Sequence, residues 1–275
     1  MKYHLAVVEG PHDASFFGVL LRELGFDKVE TVADVDSFWD GLIPRVFPTG
    51  KRLEHVVRYP DMYTRSGADA CSVAVSVAGG DSRLLSELRV ALEILDVTSM
   101  SGVCIVADAD DQNASHRFAQ LFAGLTALNT SHGPGGKEGG AAGVPGFPLA
   151  LPAAAGNIAA GKPKVGIYVL PDNTHPGTLD DILVACAASS LPSLCEPAKT
   201  LVAAVDSNGR AGDPVLKPLR KPSGRLKATA GIIGNVLHPG SATSASVERG
   251  PWLQSATGHE IGLSSLRSFI ANWLA

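Results

Sequence analysis

The chain has 275 residues, room for one large domain or two modest ones; 45% are hydrophobic and 18% charged, which excludes global disorder. A net charge of −4 excludes binding long nucleic acid over the whole surface, because that takes a basic protein; a local patch or metal ions would have to serve instead. Cys71, Cys104, Cys186 and Cys195 form no CxxC pair and no zinc-spaced cluster, so no disulfide framework is expected and a reducing cytoplasm suits the chain.

Residues 3–8 (YHLAVV) read as a buried strand and 14–24 (ASFFGVLLREL) as a helix; Glu9, Gly10 and Asp13 lie between or at their junction. Residues 27–33 (DKVETVA) suggest a second short strand. Residues 34–70 read as an insertion with one helix near 35–46 and extended structure after it. Residues 71–81 form a strand ending in Gly79-Gly80, followed by a helix over SRLLSELRVALEIL. Residues 101–111 (SGVCIVADADD) are the next strand, again ending in acids, and a helix follows over 114–127.

Residues 129–162 are rich in Gly, Ala and Pro without periodicity and predict a long mobile loop or lid. A strand is expected at 165–173 and helices at 177–190, 195–207, 224–236 and 263–274, the last amphipathic. The N-terminus lacks the basic and apolar regions of a signal peptide, and the most apolar window, 141–161, is broken by Gly and Pro. No membrane partner is expected, and the location expected is cytoplasmic.

Strand and helix alternate at least four times, which predicts an α/β fold: a mostly parallel sheet with helices on both faces. Ligands in such sheets sit at the carboxyl ends of strands. Glu9, Gly79, Gly80, Asp108, Asp110 and Asp172-Asn173 all fall there. Residues two apart in extended chain share a side, so Asp108 and Asp110 can aim at one point, and Glu9 joins them if its strand is a neighbour. Three converging carboxylates repel one another, and a divalent cation removes that repulsion. Oxygen-only ligation favours Mg²⁺ or Mn²⁺. Gly10, Gly79 and Gly80 would let a phosphate chain approach the backbone. Asp13, Asp81 and Asp111 also suit ordinary helix caps.

The stretches VVEGPHDASFF, AGGD and CIVADADD, in that order, resemble the Toprim domain of topoisomerases, primases and OLD-family nucleases. IYVLPDNTHPGTLDDIL is similar to stand-alone Toprim-like proteins in which a Pro-Asp/Asn turn precedes GTLEDLL. The resemblance covers roughly residues 4–190. It implies a Toprim-like Rossmannoid domain over 1–192, with a helical extension over 193–275 packed on the same domain. It also implies that Glu9 is a metal-associated acid/base, that Asp108 and Asp110 are Mg²⁺ ligands, and that Asp13 and Asp180 or Asp181 are auxiliary acids. Lys227 is the candidate for a transition-state role, since OLD-type nucleases use a lysine after their acids.

The implied activity is Mg²⁺-dependent cleavage or processing of DNA or RNA phosphodiesters. The alternatives are a non-catalytic Toprim-like module binding nucleic acid or protein, with an ATPase partner, and a small-molecule phosphohydrolase. A homodimer is left open. Lys217, Arg220, Lys221, Arg225 and Lys227 form a local basic patch that could steer a nucleic-acid backbone. His12 could contact phosphate; His4 reads as a core histidine, His238 as a turn residue and Trp252 as a core or helix-anchoring residue. No Walker lysine motif, GxSxG or GxGxxG occurs, which removes support for an ATPase, a serine hydrolase or a dinucleotide enzyme.

Overall fold

Apolar runs bounded by glycine and acids build the centre of one sheet: β1 (Lys2–Val8), β4 (Cys71–Val77), β5 (Gly102–Asp108) and β7 (Lys164–Leu170). The computed structural model describes residues 1–44, 59–130, 147, 149–210, 212–256 and 258–275. Among them the sheet has seven strands, in the order β2 (Asp27–Lys28), β3 (Asp61–Arg65), β4, β1, β5, β7, β6 (Ile158–Ala159). β4, β1, β5 and β7 run parallel. The outer strands β2, β3 and β6 are antiparallel to their neighbours, with β2 and β6 at the two edges. The α/β fold is therefore Rossmann-like, with a mixed but mostly parallel sheet.

Alternation along each central strand feeds two apolar layers. Ala6, Val8, Cys104, Val106 and Tyr168 face one layer, and Leu5, Val7, Val103, Ile105 and Ile167 the other. The first layer is completed by α1 (Pro11–Glu23), α4 (Leu179–Ser190), α5 (Pro192–Asn208), α6 (Gly224–Leu237), α7 (Thr243–Arg249) and α8 (Leu263–Leu274). The second is closed by α2 (Leu84–Ile94), α3 (Ala114–Thr130) and Trp39, whose indole N–H donates to Ser72 Oγ at 2.7 Å.

The two short edge strands fall in segments whose sequence signal is weakest. Of DKVETVA only Asp27–Lys28 is strand, because this edge has β3 on one side alone; Val32–Asp34 is a 3₁₀ turn. The helix expected near 35–46 is a 3₁₀ helix, Ser37–Leu42, capped by the Asp36 carboxylate on the Phe38 N–H. Residues 45–58 of the expected insertion lie outside the described residues, and β3 supplies the extended structure expected after them. Within the expected loop, 131–146 and 148 lie outside the described residues. Asn129 and Thr130 instead end α3, and Ile158–Ala159 pair with β7. Two apolar residues are too few to show a period. The short helix α7 was not anticipated either.

The C-terminal helix α8 docks where strands lack side chains. A Cβ at Gly166 would lie 2.7 Å from Phe269 Cζ. One at Gly102 would lie 2.5 Å from His4 Cδ2 and 2.7 Å from Trp273 Nε1. His4 is buried there as expected, its Nδ1 3.3 Å from Cys71 Sγ, and burial lowers its pKa to about 4. Trp252 is also buried, its indole N–H donating to Ser246 Oγ at 3.2 Å. Among the described residues no helix is long and apolar enough to cross a membrane.

Overpacking of this kind costs about 1–3 kcal/mol. Gly102→Ala is therefore expected to lower the urea unfolding midpoint with the slope unchanged; an unchanged midpoint would mean that α8 does not seat on this strand as described.

Candidate active site at the ends of β1 and β5

From β1 the chain passes through α1 to the β4 side of the sheet, and from β4 through α2 across to β5 on the other side. β1 and β5 thus flank the point where the winding reverses, and the crevice beyond their carboxyl ends is where such sheets bind ligands. Glu9 leaves β1 and Asp108 ends β5 at that point.

The two strand ends are tied through a side chain. The Asp108 N–H donates to Glu9 Oε1 at 2.9 Å. Arg117 Nη2, on α3, donates to the same oxygen at 3.2 Å and also to Asp81 Oδ1. Among the described residues no hydrogen bond reaches Glu9 Oε2. Asp108 lies in phase with Cys104 and Val106, and its Oδ1 accepts the Leu179 N–H at 2.9 Å, at the start of α4. The positive end of that helix favours a carboxylate. Asp13 Oδ2 accepts the Gly10 N–H at 2.7 Å, so it does cap α1.

These acids also repel one another. Burial raises the pKa of Glu9, against the Asp108 amide and Arg117, which lower it; Asp81 and Asp110 raise it further. Burial and then the Glu9 charge push Asp13 up to about 7. Burial, Asp13 and Glu9 raise Asp108 well above the usual carboxylate range.

Several expected roles change. The period that would aim Asp108 and Asp110 at one point stops at Asp108. Asp110 is exposed in the left-handed region (φ 55°) and its backbone exchanges two hydrogen bonds with Gly177, at 2.9 and 2.8 Å. It acts on the site through its charge. The expected amide cradle is not free: Gly79 and Gly80 N–H both donate to the Glu9 carbonyl, at 2.9 and 3.0 Å, and Gly10 N–H is taken by Asp13. These amides close the β1 and β4 ends together. Asp181 accepts the Thr178 N–H at 2.8 Å and is a capping acid of α4. Asn113, not Asp111, caps α3 through the His116 N–H at 2.8 Å. Asp172 and Asn173 build the turn after β7, accepting from the His175 and Val169 N–H groups.

Asp180 forms a second group. It is buried, which raises its pKa, while Lys227 and His12 lower it. Asp180 in turn raises Asp13, so this group adjoins the first. Of the basic patch, Arg220 and Arg225 are paired with Asp206. Lys217, Lys221 and Lys227 are exposed without an ion pair among the described residues. His238 Nδ1 lies 3.2 Å from Ser246 Oγ, and Glu248 pairs with Lys28 at 2.8 Å, so both are structural. A groove of about 870 Å³ runs beside α1 past Pro11, Lys28, Met62 and Glu248; Glu9, Asp13 and Asp108 do not line it.

Arg117 is the site residue that sequence reasoning missed. Its signal was present: Arg117, Leu121, Leu125 and Leu128 share one buried face of α3, so a lone arginine stands on an apolar stripe. Such a residue needs a buried acid.

Among the described residues no three His, Cys, Asp or Glu side chains are arranged to hold a metal ion together. The donor chemistry nevertheless fits Mg²⁺, which is commonly held by one or two carboxylates with waters and substrate phosphate. The model of a family described as "Protein of unknown function (DUF3226)" matches residues 3–219. The solved structure of a hypothetical protein from Pyrococcus horikoshii OT3 is similar at 17% identity and a TM-score of 0.47, over 99% of this chain and 95% of that one. No curated protein matches.

Because the folded-state pKa of Asp13, about 7, lies above its ordinary 3.8, the folded state binds the extra proton between those values. Stability from this group is present at low pH and lost as pH rises through about 7. In EDTA, Asp13→Asn is expected to stabilise the protein by up to about 4 kcal/mol at pH 8, with the gain nearly gone at pH 4. Thermal denaturation across that range measures it; a loss of stability at pH 8 would contradict the repulsion.

Proposed function

The chain belongs to the DUF3226 family, and from the geometry of its acids we propose that it cleaves or processes nucleic-acid phosphodiesters with Mg²⁺ or Mn²⁺, as a Toprim-type nuclease. One observation carries this reading. Glu9, Asp13 and Asp108 gather at the winding reversal of the sheet with their pKa values raised by burial first and then by neighbouring acids: Asp81 and Asp110 raise Glu9, Glu9 raises Asp13, and Asp13 and Glu9 raise Asp108. Such destabilisation is typical of functional sites.

Asp108 and Glu9, with Asp110 beside them, would hold the cation. The cation, when bound, supplies charge neutralisation on the phosphate and its leaving oxygen. The chain's own residues supply the rest. Glu9 Oε1 is fixed by the Asp108 amide and Arg117, which leaves Oε2 to hold or move a proton. Its raised pKa brings it nearer neutrality, which suits an acid/base. Asp13 and Asp180 are auxiliary acids, and the capping bonds of Asp181 argue against that role for it. Lys227, beside Asp180, with exposed Lys217 and Lys221, gives the polymer backbone a cationic approach.

The test is incubation of the purified protein with supercoiled, linear and single-stranded DNA and with structured RNA, in Mg²⁺, Mn²⁺ or EDTA. Cutting is expected only with metal, and Asp108→Ala, Asp110→Ala is expected to reduce it at least ~100-fold. Equal behaviour of wild type and variant would sink the catalytic reading.

A further inference from the structure

Glu9 and Asp81 compete for one nitrogen of Arg117. The arginine side chain is only 10% exposed and its Nη1 donates to Gln120 Oε1 at 3.3 Å. Its Nε is buried with no hydrogen-bond partner. Nε and Nη2 share one edge of the guanidinium, the edge that grips two oxygens of a carboxylate or phosphate side by side. Here that edge is half used: Nη2 is taken and Nε is orphaned.

Asp81 is the replaceable occupant. Its side chain is 53% exposed, against 14% for Glu9. It directly follows Gly79 and Gly80, which hold φ of 77° and 137°, and a Cβ at Gly80 would meet nothing within 4 Å. Glu9, by contrast, is held in place by a second donor, the Asp108 amide. An incoming phosphate cannot settle beside Glu9, Asp13, Asp108 and Asp81 together, because all are acids; among the described residues Arg117 is the cation paired with Glu9 and Asp81, and no ion pair reaches Asp13 or Asp108. Removing Asp81 relieves that conflict and leaves Nη2 bonded to Glu9 alone, with its second N–H available beside Nε.

We infer that the Nε–Nη2 edge of Arg117 is a phosphate-binding site, closed in the empty protein by Asp81, and that a phosphodiester oxygen pair of the substrate takes the place of the Asp81 carboxylate. This deepens the nuclease reading and rests on it for the identity of the ligand. Asp81 then acts as an internal stand-in for substrate, keeping a buried guanidinium partly satisfied until the polymer arrives.

The test is binding of inorganic phosphate and of a thymidine dinucleotide, by titration calorimetry in EDTA. Asp81→Asn is expected to bind both at least ~5-fold more tightly than wild type. Asp111→Asn removes the same charge from a neighbouring exposed loop and is expected to change affinity less than ~2-fold. Arg117→Lys in the Asp81→Asn background keeps the charge but loses the fork, and is expected to abolish the gain. Equal effects of Asp81→Asn and Asp111→Asn, or no effect of either, would overturn the site; this comparison stands even if the Arg117 variant does not fold. A gain for phosphate but not for the dinucleotide would overturn the substrate role. Because no cleavage is measured, a protein that cuts nothing yet shows the Asp81→Asn gain sinks the nuclease reading alone, and one that cuts without the gain sinks this inference alone.

Discussion

The amide of Asp108 donating to Glu9 Oε1 joins the ends of two neighbouring parallel strands, and most of the site is arranged around that bond. A carboxylate accepting a backbone N–H is a charge-assisted contact, stronger than a neutral one. It fixes where one oxygen of Glu9 lies. Arg117, on α3, holds that same oxygen, and the Glu9 carbonyl collects the amides of Gly79 and Gly80. Three loops, after β1, β4 and β5, are therefore gathered on one residue. The carboxylate is held on the rigid end of a sheet, which is what precise chemistry requires.

The gathering has an energetic cost. Burial and neighbouring acids raise the pKa values of Glu9, Asp13 and Asp108, with Glu9 acting on both of the others, so the folded protein carries a strain that ionisation makes worse. Proteins keep such conflicts where activity needs them, and the rest of the fold must offset them. The offset here is a doubly covered sheet. The apolar layer holding α1 and α4 is extended by α5 to α8, down to Trp273 against His4 and Phe17. Gly102 and Gly166 let that last helix lie close on the strands.

How much of this could be read from the residues alone depended on the length of each signal. The central strands and the helix over 263–274 are long and strongly patterned, and they appear with nearly the expected bounds. Edge strands of two residues have no period to read. Glu9 and Asp108 were legible because acids ended apolar runs. Asp110 was legible as a nearby charge, but not as a residue in a left-handed turn. Caps and site acids look alike in sequence: Asp13 is both, Asp181 is a cap, and Asp81 belongs to Arg117. Arg117 stood 108 residues from its partner Glu9, beyond any local pattern, although its place on an apolar stripe called for a buried acid.

We propose that the buried acids at the reversal of the sheet hold a divalent cation. The most direct measurement is calorimetric titration of the protein with Mn²⁺ at pH 6.5 in two buffers of different ionisation enthalpy, beside Asp108→Asn. Because Asp13 titrates near 7 and Glu9 and Asp108 are raised, the account expects one-site binding with up to about one proton released per ion. It also expects binding to be lost in the variant. No binding, or binding without proton release that Asp108→Asn leaves intact, would contradict it.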